Sequence, residues 1–172
     1  MVADCWKVLE WVSLRYPEHR VVLWGHSLGS GISTKFISEL QEEADTMLEK
    51  VQGLVLESAF ISAQEGAKSF PGVEYWNYFK ITRDRIPRSL TNIFPTVDLL
   101  PDVKVPVLLL HAVDDSTIPH RHSEILYETC RMRGKKEVEF YSASSGQHRW
   151  VSRDEGAVRC AARFIKKLGV TY

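Results

Sequence analysis

The sequence predicts an α/β fold in which a mostly parallel sheet of about four strands is flanked by helices. Four short apolar runs have the continuity expected of strands that are buried on both faces. Other segments place apolar residues three and four positions apart, as amphipathic helices do. Because strands that alternate with helices form parallel sheets with right-handed crossovers, this order predicts one domain over residues 1–172.

The first part of the chain is predicted to supply two helices and two strands. Residues 2–16 have an apolar stripe at helical spacing, and Pro17 ends it. The run Val21–Trp24 is short and continuously apolar, as a buried strand is. Residues 28–40 again show one apolar helix face, and Gly53–Phe60 is the second strand candidate.

The second part of the chain continues the alternation. Val105–Val113 is the third strand candidate, and the helical stretch Ser123–Met132 separates it from the fourth, Val138–Ser144. The last helix is predicted to start at Ser152, because Ser152 and Glu155 have the spacing of a capping box.

Residues 66–103 interrupt this alternation. A segment of this length inside a compact domain is usually a lid or a binding loop. We therefore predict a cap-like insert, with plain packing over the sheet as the alternative. The segment is rich in proline and contains the aromatic residues Phe70, Tyr75, Trp76, Tyr78, Phe79 and Phe94.

The composition excludes several classes of protein. Lys plus Arg and Asp plus Glu both total 22, so bulk charge favours neither nucleic acid nor a membrane surface. The three cysteines, Cys5, Cys130 and Cys160, form no disulfide or metal pattern, and we expect them reduced and buried. No apolar run approaches the ~18 residues of a membrane span, and no signal peptide opens the chain. These features predict a soluble, cytoplasmic chain.

The segment "GHSLG" (Gly25–Gly29) matches the G-x-S-x-G nucleophile elbow and lies between a predicted strand and a predicted helix. We expect side chains at Gly25 and Gly29 to collide with the neighbouring strand and helix. The turn would present the Ser27 hydroxyl above the strand ends, with the N–H of Leu28 directed at an oxyanion. The alternative is an ordinary hydroxyl in a glycine-rich turn.

A nucleophilic serine needs a base, and the base needs an orienting acid. Asp115 follows the third strand and is preferred to Asp114, because Asp-x-x-Ile-Pro places it at the loop tip. Asp114 would instead bond its own backbone in the turn. His148 follows the last strand and is the predicted base. The three residues predict acyl transfer to water, without a metal or organic cofactor.

The other histidines are less well placed to act as the base. His26 lies inside the elbow, where its side chain should turn away from the serine. His111 ends a strand and is expected to form local packing or hydrogen bonds. His120 and His122 open a helix at a spacing that does not place both on one face for a metal, and His19 lies at the wrong end of the sheet.

Together the segments "GHSLGSG", "GLVLESAF", "VPVLLLHAVDDSTIPHRHSEILY" and "SGQHRW" resemble the α/β-hydrolase superfamily. The likeness is closer to its membrane-anchored lipases that act on lysophosphatidylserine and monoacylglycerols. The resemblance implies that Ser27, Asp115 and His148 are the triad and that Leu28 supplies one oxyanion N–H. It also implies a lipid ester substrate, an acyl-binding role for the insert, and an endoplasmic reticulum membrane location for a full-length protein.

One departure from the family concerns the start of the chain. The complete fold has further strands before the elbow serine, whereas one helix precedes it here. We therefore expect a partial α/β-hydrolase fold, the C-terminal part of such an enzyme, without the anchor and the loop that donates a second oxyanion N–H. The strand Val21–Trp24 would then be an apolar edge. The alternatives to an esterase are a weak or inactive partial domain that acts by association, and a peptidase or acyl-peptide hydrolase.

Overall fold

The computed structural model describes residues 1–68 and 93–169, and these residues contain a four-stranded parallel sheet in the order β1-β2-β3-β4. The strands are β1 Val21–His26, β2 Val51–Glu57, β3 Val107–Ala112 and β4 Val138–Ala143. The helices are α1 Val2–Arg15, α2 Leu28–Glu42, α3 Ala63–Lys68, α4 Thr96–Leu99, α5 Arg121–Met132 and α6 Glu155–Lys167. The predicted α/β class and the sheet of about four strands are confirmed.

Strand β3 lies inside the sheet, and all six of its residues are buried. It pairs in parallel with β2 through Leu54 and Val107, and with β4 through Val107 and Val138. Helices cover both faces, as a buried parallel sheet requires. Because all four strands run the same way, the loops that follow them meet at one edge of the sheet.

The core has one apolar cluster on each face of the sheet. On one face Leu109 packs with residues of α2 and α5, among them Phe36, Leu40 and Leu126. On the other face the side chains of β2 and β3 pack against α6. That second cluster includes Val55, Leu108, Leu110, Cys160 and Phe164.

Strand β1 lies at one edge of the described sheet and pairs only with β2. Its residues Val21–Leu23 are half-buried, and Trp24 is 44% exposed. The Trp24 indole donates from Nε1 to Oε2 of Glu57 at 3.0 Å, which ties the end of β1 to β2. No helix among residues 1–68 and 93–169 is long and apolar enough to cross a membrane.

The structure describes only the two ends of the predicted insert. Helix α3 overlaps its start, and α4 lies near its end. Phe94 is buried beside Phe60 and Ile118. Residues 69–92 lie outside the described residues, and with them most of the aromatic side chains on which the cap prediction depends.

The predicted capping box of the last helix is wrong. Residues Val151–Arg153 form a short 3-10 turn, which displaces the start of α6 to Glu155. The N-cap is Asp154, whose Oδ1 accepts hydrogen bonds from the Ala157 N–H at 2.8 Å and the Tyr141 hydroxyl at 3.0 Å. The Ala157 bond is the main reason why the pKa of Asp154 is below its usual range.

Replacing Asp154 with Ala is therefore expected to lower the free energy of unfolding by about 1 kcal/mol, because the first turn of α6 loses its cap. The Ser152→Ala variant is the matched control, and we expect it to change stability by less than about 0.5 kcal/mol. Urea denaturation of the two variants beside the wild type measures the difference. An equal loss in both would contradict the assignment of the cap.

Candidate active site

Ser27 lies in the turn between β1 and α2 and is the N-cap of α2, with φ 51° and ψ −116°. A positive φ is uncommon for a non-glycine residue and is retained where the surroundings enforce it. Here the Ser27 N–H donates to the Glu57 carbonyl at 2.9 Å. The Ser27 carbonyl in turn accepts from the N–H of Ser30 at 2.9 Å and from its hydroxyl at 2.6 Å. The backbone of Ser27 is thus held on both sides.

The two glycines of the elbow differ in what surrounds them. A Cβ atom on Gly25 would lie 2.4 Å from the carbonyl oxygen of Gly29, a distance that real Cβ contacts do not reach. A Cβ atom on Gly29 would have nothing within 4 Å. The expected collision is therefore confirmed at Gly25 and wrong at Gly29, because Gly29 faces open space from the first turn of α2.

The structure brings the predicted serine, histidine and acid together. The Ser27 Oγ lies 2.9 Å from Nε2 of His148. The other ring nitrogen of His148, Nδ1, lies 2.9 Å from Oδ2 of Asp115. Ser27 follows β1, Asp115 follows β3 and His148 follows β4. The contacts therefore depend on the sheet, which gathers these three loops at one edge.

The carboxylate of Asp115 is surrounded by hydrogen-bond donors. Its side chain is buried, and Oδ1 accepts from the N–H groups of Thr117 and Ile118 at 2.9 Å each. Oδ2 faces His148 and also lies 3.2 Å from Nε2 of His111. Burial alone would raise the pKa of Asp115, but the bonds from the two histidines and the two N–H groups outweigh it and hold that pKa well below its usual range. Asp115 is therefore ionised.

The ionised acid determines the tautomer of His148. A carboxylate only accepts hydrogen bonds, so Nδ1 of His148 carries the proton that is donated to Asp115. In the neutral ring Nε2 then has a free lone pair and accepts from the hydroxyl of Ser27. This arrangement allows His148 to take the proton of Ser27 as the oxygen attacks an electrophile.

Asp114 lies outside this chain of contacts. Its side chain is exposed, and Oδ1 accepts from the N–H of Gln147 at 2.7 Å. We expected Asp114 to bond the backbone of its own turn. Its hydrogen bond instead reaches across to the loop that carries His148.

Two further histidines contact Asp115 and His148 in ways that the sequence did not indicate. Nε2 of His26 lies 2.7 Å from the carbonyl oxygen of His148, so its N–H donates to that oxygen. His111 is fully buried and lies beside Asp115. The i,i+4 spacing of His111 and Asp115 was a possible signal, but it predicts a contact only once the turn between them is known.

Leu28 is the residue predicted to supply an oxyanion N–H. It is the first residue of α2, so its N–H is one of those at the helix N-terminus that have no acceptor within the helix. The dipole of α2 also favours a negative charge at this end.

His120 and His122 lie at the start of α5, and burial is the main cause that lowers the pKa of each. Within the described ranges, no three His, Cys, Asp or Glu residues are grouped so that they could hold a metal ion.

Three curated relatives are similar to most of this chain. The lysophosphatidylserine lipase ABHD12 of Macaca fascicularis is 28% identical over 177 residues, which cover 97% of this chain and 43% of that protein. The Xenopus tropicalis protein of the same name is 34% identical over 131 residues, 74% of this chain and 33% of that protein. Protein ABHD12B of Homo sapiens is 27% identical over 174 residues, 97% of this chain and 47% of that protein. The chain thus spans less than half the length of these relatives.

Solved structures of two enzymes share the fold. The esterase Pf2001 of Pyrococcus furiosus has a TM-score of 0.66 at 18% identity, over 96% of this chain and 61% of the esterase. The acylaminoacyl peptidase of Pyrococcus horikoshii has a TM-score of 0.73 at 18% identity, over 99% of this chain and 28% of the peptidase. These similarities show a partial α/β-hydrolase fold.

The sequence profile of the family described as serine aminopeptidase, S33, matches residues 1–94, which is more than half of the chain. This match includes the elbow turn that carries Ser27. The chain therefore belongs to the serine aminopeptidase S33 family of α/β-hydrolases.

Proposed function

We propose that this chain is a serine hydrolase that cleaves carboxylic esters, with Ser27 as nucleophile, His148 as base and Asp115 as orienting acid. The observation that carries the proposal is the unbroken chain of contacts from Ser27 through His148 to Asp115, with both distances at 2.9 Å. The positive φ of Ser27 at the start of a helix adds to it. Residues held in such a conformation concentrate at active sites.

The reaction would proceed through an acyl-enzyme. Nε2 of His148 takes the hydroxyl proton of Ser27 while Oγ bonds to the ester carbonyl carbon, and the N–H of Leu28 stabilises the resulting oxyanion. His148 then returns the proton to the alcohol oxygen as the bond between carbon and that oxygen breaks. Water attacks the acyl-enzyme with His148 as base, which releases the carboxylic acid and restores Ser27.

The proposed substrate class is a lysophospholipid or a monoacylglycerol. The names of the curated relatives support this choice, since several are lysophosphatidylserine lipases. Both kinds of molecule present one acyl ester and a polar head group. The acyl-binding role of residues 66–103 belongs to the same proposal.

A peptide amide is the second candidate substrate. The name of the matching family favours it, because that family is described as serine aminopeptidase. A triad of this type cleaves amides as well as esters. The comparison of the two substrate classes therefore decides between an esterase and a peptidase.

A fluorophosphonate probe tests whether Ser27 is a nucleophile at all. The Oγ of Ser27 bonds to phosphorus, fluoride leaves, and His148 takes the proton. We expect stoichiometric labelling of the wild-type chain, mapped to the peptide that contains Ser27, and no labelling of the Ser27→Ala variant. Folded chain that is not labelled at Ser27 would instead indicate a weak or inactive partial domain.

The turnover of three substrates tests the substrate class. A monoacylglycerol, lysophosphatidylserine and a peptide anilide are supplied at equal concentration, with Ser27→Ala as the blank. We expect the two lipids to be hydrolysed faster than the anilide. Faster hydrolysis of the anilide than of the two lipids would overturn the ester assignment in favour of a peptidase.

A further inference from the structure

His111 is a fully buried polar side chain beside Asp115. It belongs to β3, and its exposed fraction is 0%. A polar group in such a place is costly unless its hydrogen bonds are made. Both ring nitrogens have partners: Nδ1 lies 2.7 Å from Oγ of Ser123, and Nε2 lies 2.9 Å from the carbonyl oxygen of Ile118.

The partners of His111 determine which nitrogen carries its proton. Nε2 faces two oxygens that can only accept, the carbonyl of Ile118 at 2.9 Å and Oδ2 of Asp115 at 3.2 Å. Nε2 must therefore carry a proton, since a lone pair there would face two negative oxygens. In the neutral ring Nδ1 then accepts from the hydroxyl of Ser123, which is itself fully buried.

Oδ2 of Asp115 thus faces two imidazoles. His148 approaches through Nδ1 at 2.9 Å and His111 through Nε2 at 3.2 Å. The other oxygen, Oδ1, is occupied by two backbone N–H groups of the following turn. The two N–H bonds hold Oδ1 only. On Oδ2, the contact from His111 comes from a buried side chain of β3, so it sets where Oδ2 lies relative to His148.

The geometry points to His111 as a positioning residue that holds Oδ2 of Asp115 in line with His148. The inference rests on the function proposed above. His111 would act through Asp115 and would not touch the substrate. A displacement of about 1 Å in a catalytic group can cost a hundredfold in rate. A carboxylate that is held in place keeps the His148 ring in position for the proton of Ser27.

Two amide variants separate positioning from packing. The amide nitrogen of Gln reaches as far from the backbone as Nε2 of histidine, so His111→Gln keeps a donor beside Asp115. The amide of Asn reaches only as far as Nδ1, so His111→Asn keeps a partner for Ser123 but leaves Asp115 without that donor. Both variants place a neutral amide in the same buried site.

The rate of fluorophosphonate labelling and the low-field proton NMR signal of the His148 Nδ1–H are measured in both variants. Circular dichroism first identifies a temperature at which both are folded. We expect His111→Gln to label within about threefold of wild type and to keep the signal, and His111→Asn to label at least about tenfold more slowly and to lose it. Equal effects in the two variants, or a wild-type signal in His111→Asn, would overturn the inference.

A measurement on the wild-type chain keeps the test decisive if His111→Asn does not fold. Long-range proton–nitrogen NMR is expected to show a proton on Nε2 of His111. A proton on Nδ1 alone would overturn the inference. Both NMR readouts use protein that has not been treated with the fluorophosphonate, so they do not depend on the reactivity of Ser27. A failure of Ser27 to react would contradict the proposed function and not the contact between His111 and Asp115.

Discussion

Ester hydrolysis by the Asp115→Asn variant is expected to be about 10⁴-fold slower than by the wild-type chain, the loss that the corresponding change causes in serine proteases. The amide introduced by this substitution would keep an oxygen toward the N–H groups of Thr117 and Ile118 and turn its NH₂ group toward Nδ1 of His148. His148 would then carry its proton on Nε2 and could not accept one from Ser27. The kcat for a p-nitrophenyl ester measures the loss.

The neighbouring carboxylate provides the control. Asp114 accepts one hydrogen bond from the N–H of Gln147, and an Asn side chain can accept the same bond. We therefore expect Asp114→Asn to stay within about threefold of wild type, since a hydrogen-bond acceptor is retained. A large loss in Asp114→Asn together with a small loss in Asp115→Asn would show that the acid has been assigned to the wrong residue.

The parts of the fold that the sequence predicted are those in which a local pattern and the global structure agree. Residues 107–110 of β3 form a continuous apolar run because both faces of the strand are covered, and such a run can be recognised without knowledge of its partners. The positions of Ser27, Asp115 and His148 could be predicted for a related reason. Each follows a strand, and the loops after parallel strands meet at one edge.

The features that sequence reasoning missed depend on the conformation of a few residues. The N-cap of α6 is Asp154 because a 3-10 turn occupies residues 151–153, and such a turn has no strong sequence signal. The contact of His111 with Asp115 depends on how residues 113–118 turn back toward β3. A buried histidine that contacts a carboxylate and one that only fills the core have the same sequence pattern.

The two elbow glycines allow a direct test of whether the conformation of Ser27 matters. In Gly25→Ala the new Cβ would lie 2.4 Å from the carbonyl oxygen of Gly29 and 2.9 Å from Cα of Ser30. Both are backbone atoms of α2, so the first turn of the helix must move, and Ser27 with it. We expect fluorophosphonate labelling to slow at least about a hundredfold, the effect of displacing a reacting group by about 1 Å.

Gly29→Ala is the matched substitution, because its Cβ would have nothing within 4 Å. Alanine is preferred to glycine inside a helix by roughly 1 kcal/mol, so this variant should unfold at a higher urea concentration and label within about threefold of wild type. Similar labelling rates in the two variants would mean that the elbow tolerates displacement. In that case the strained backbone of Ser27, with its φ of 51°, would not be what presents the hydroxyl to His148.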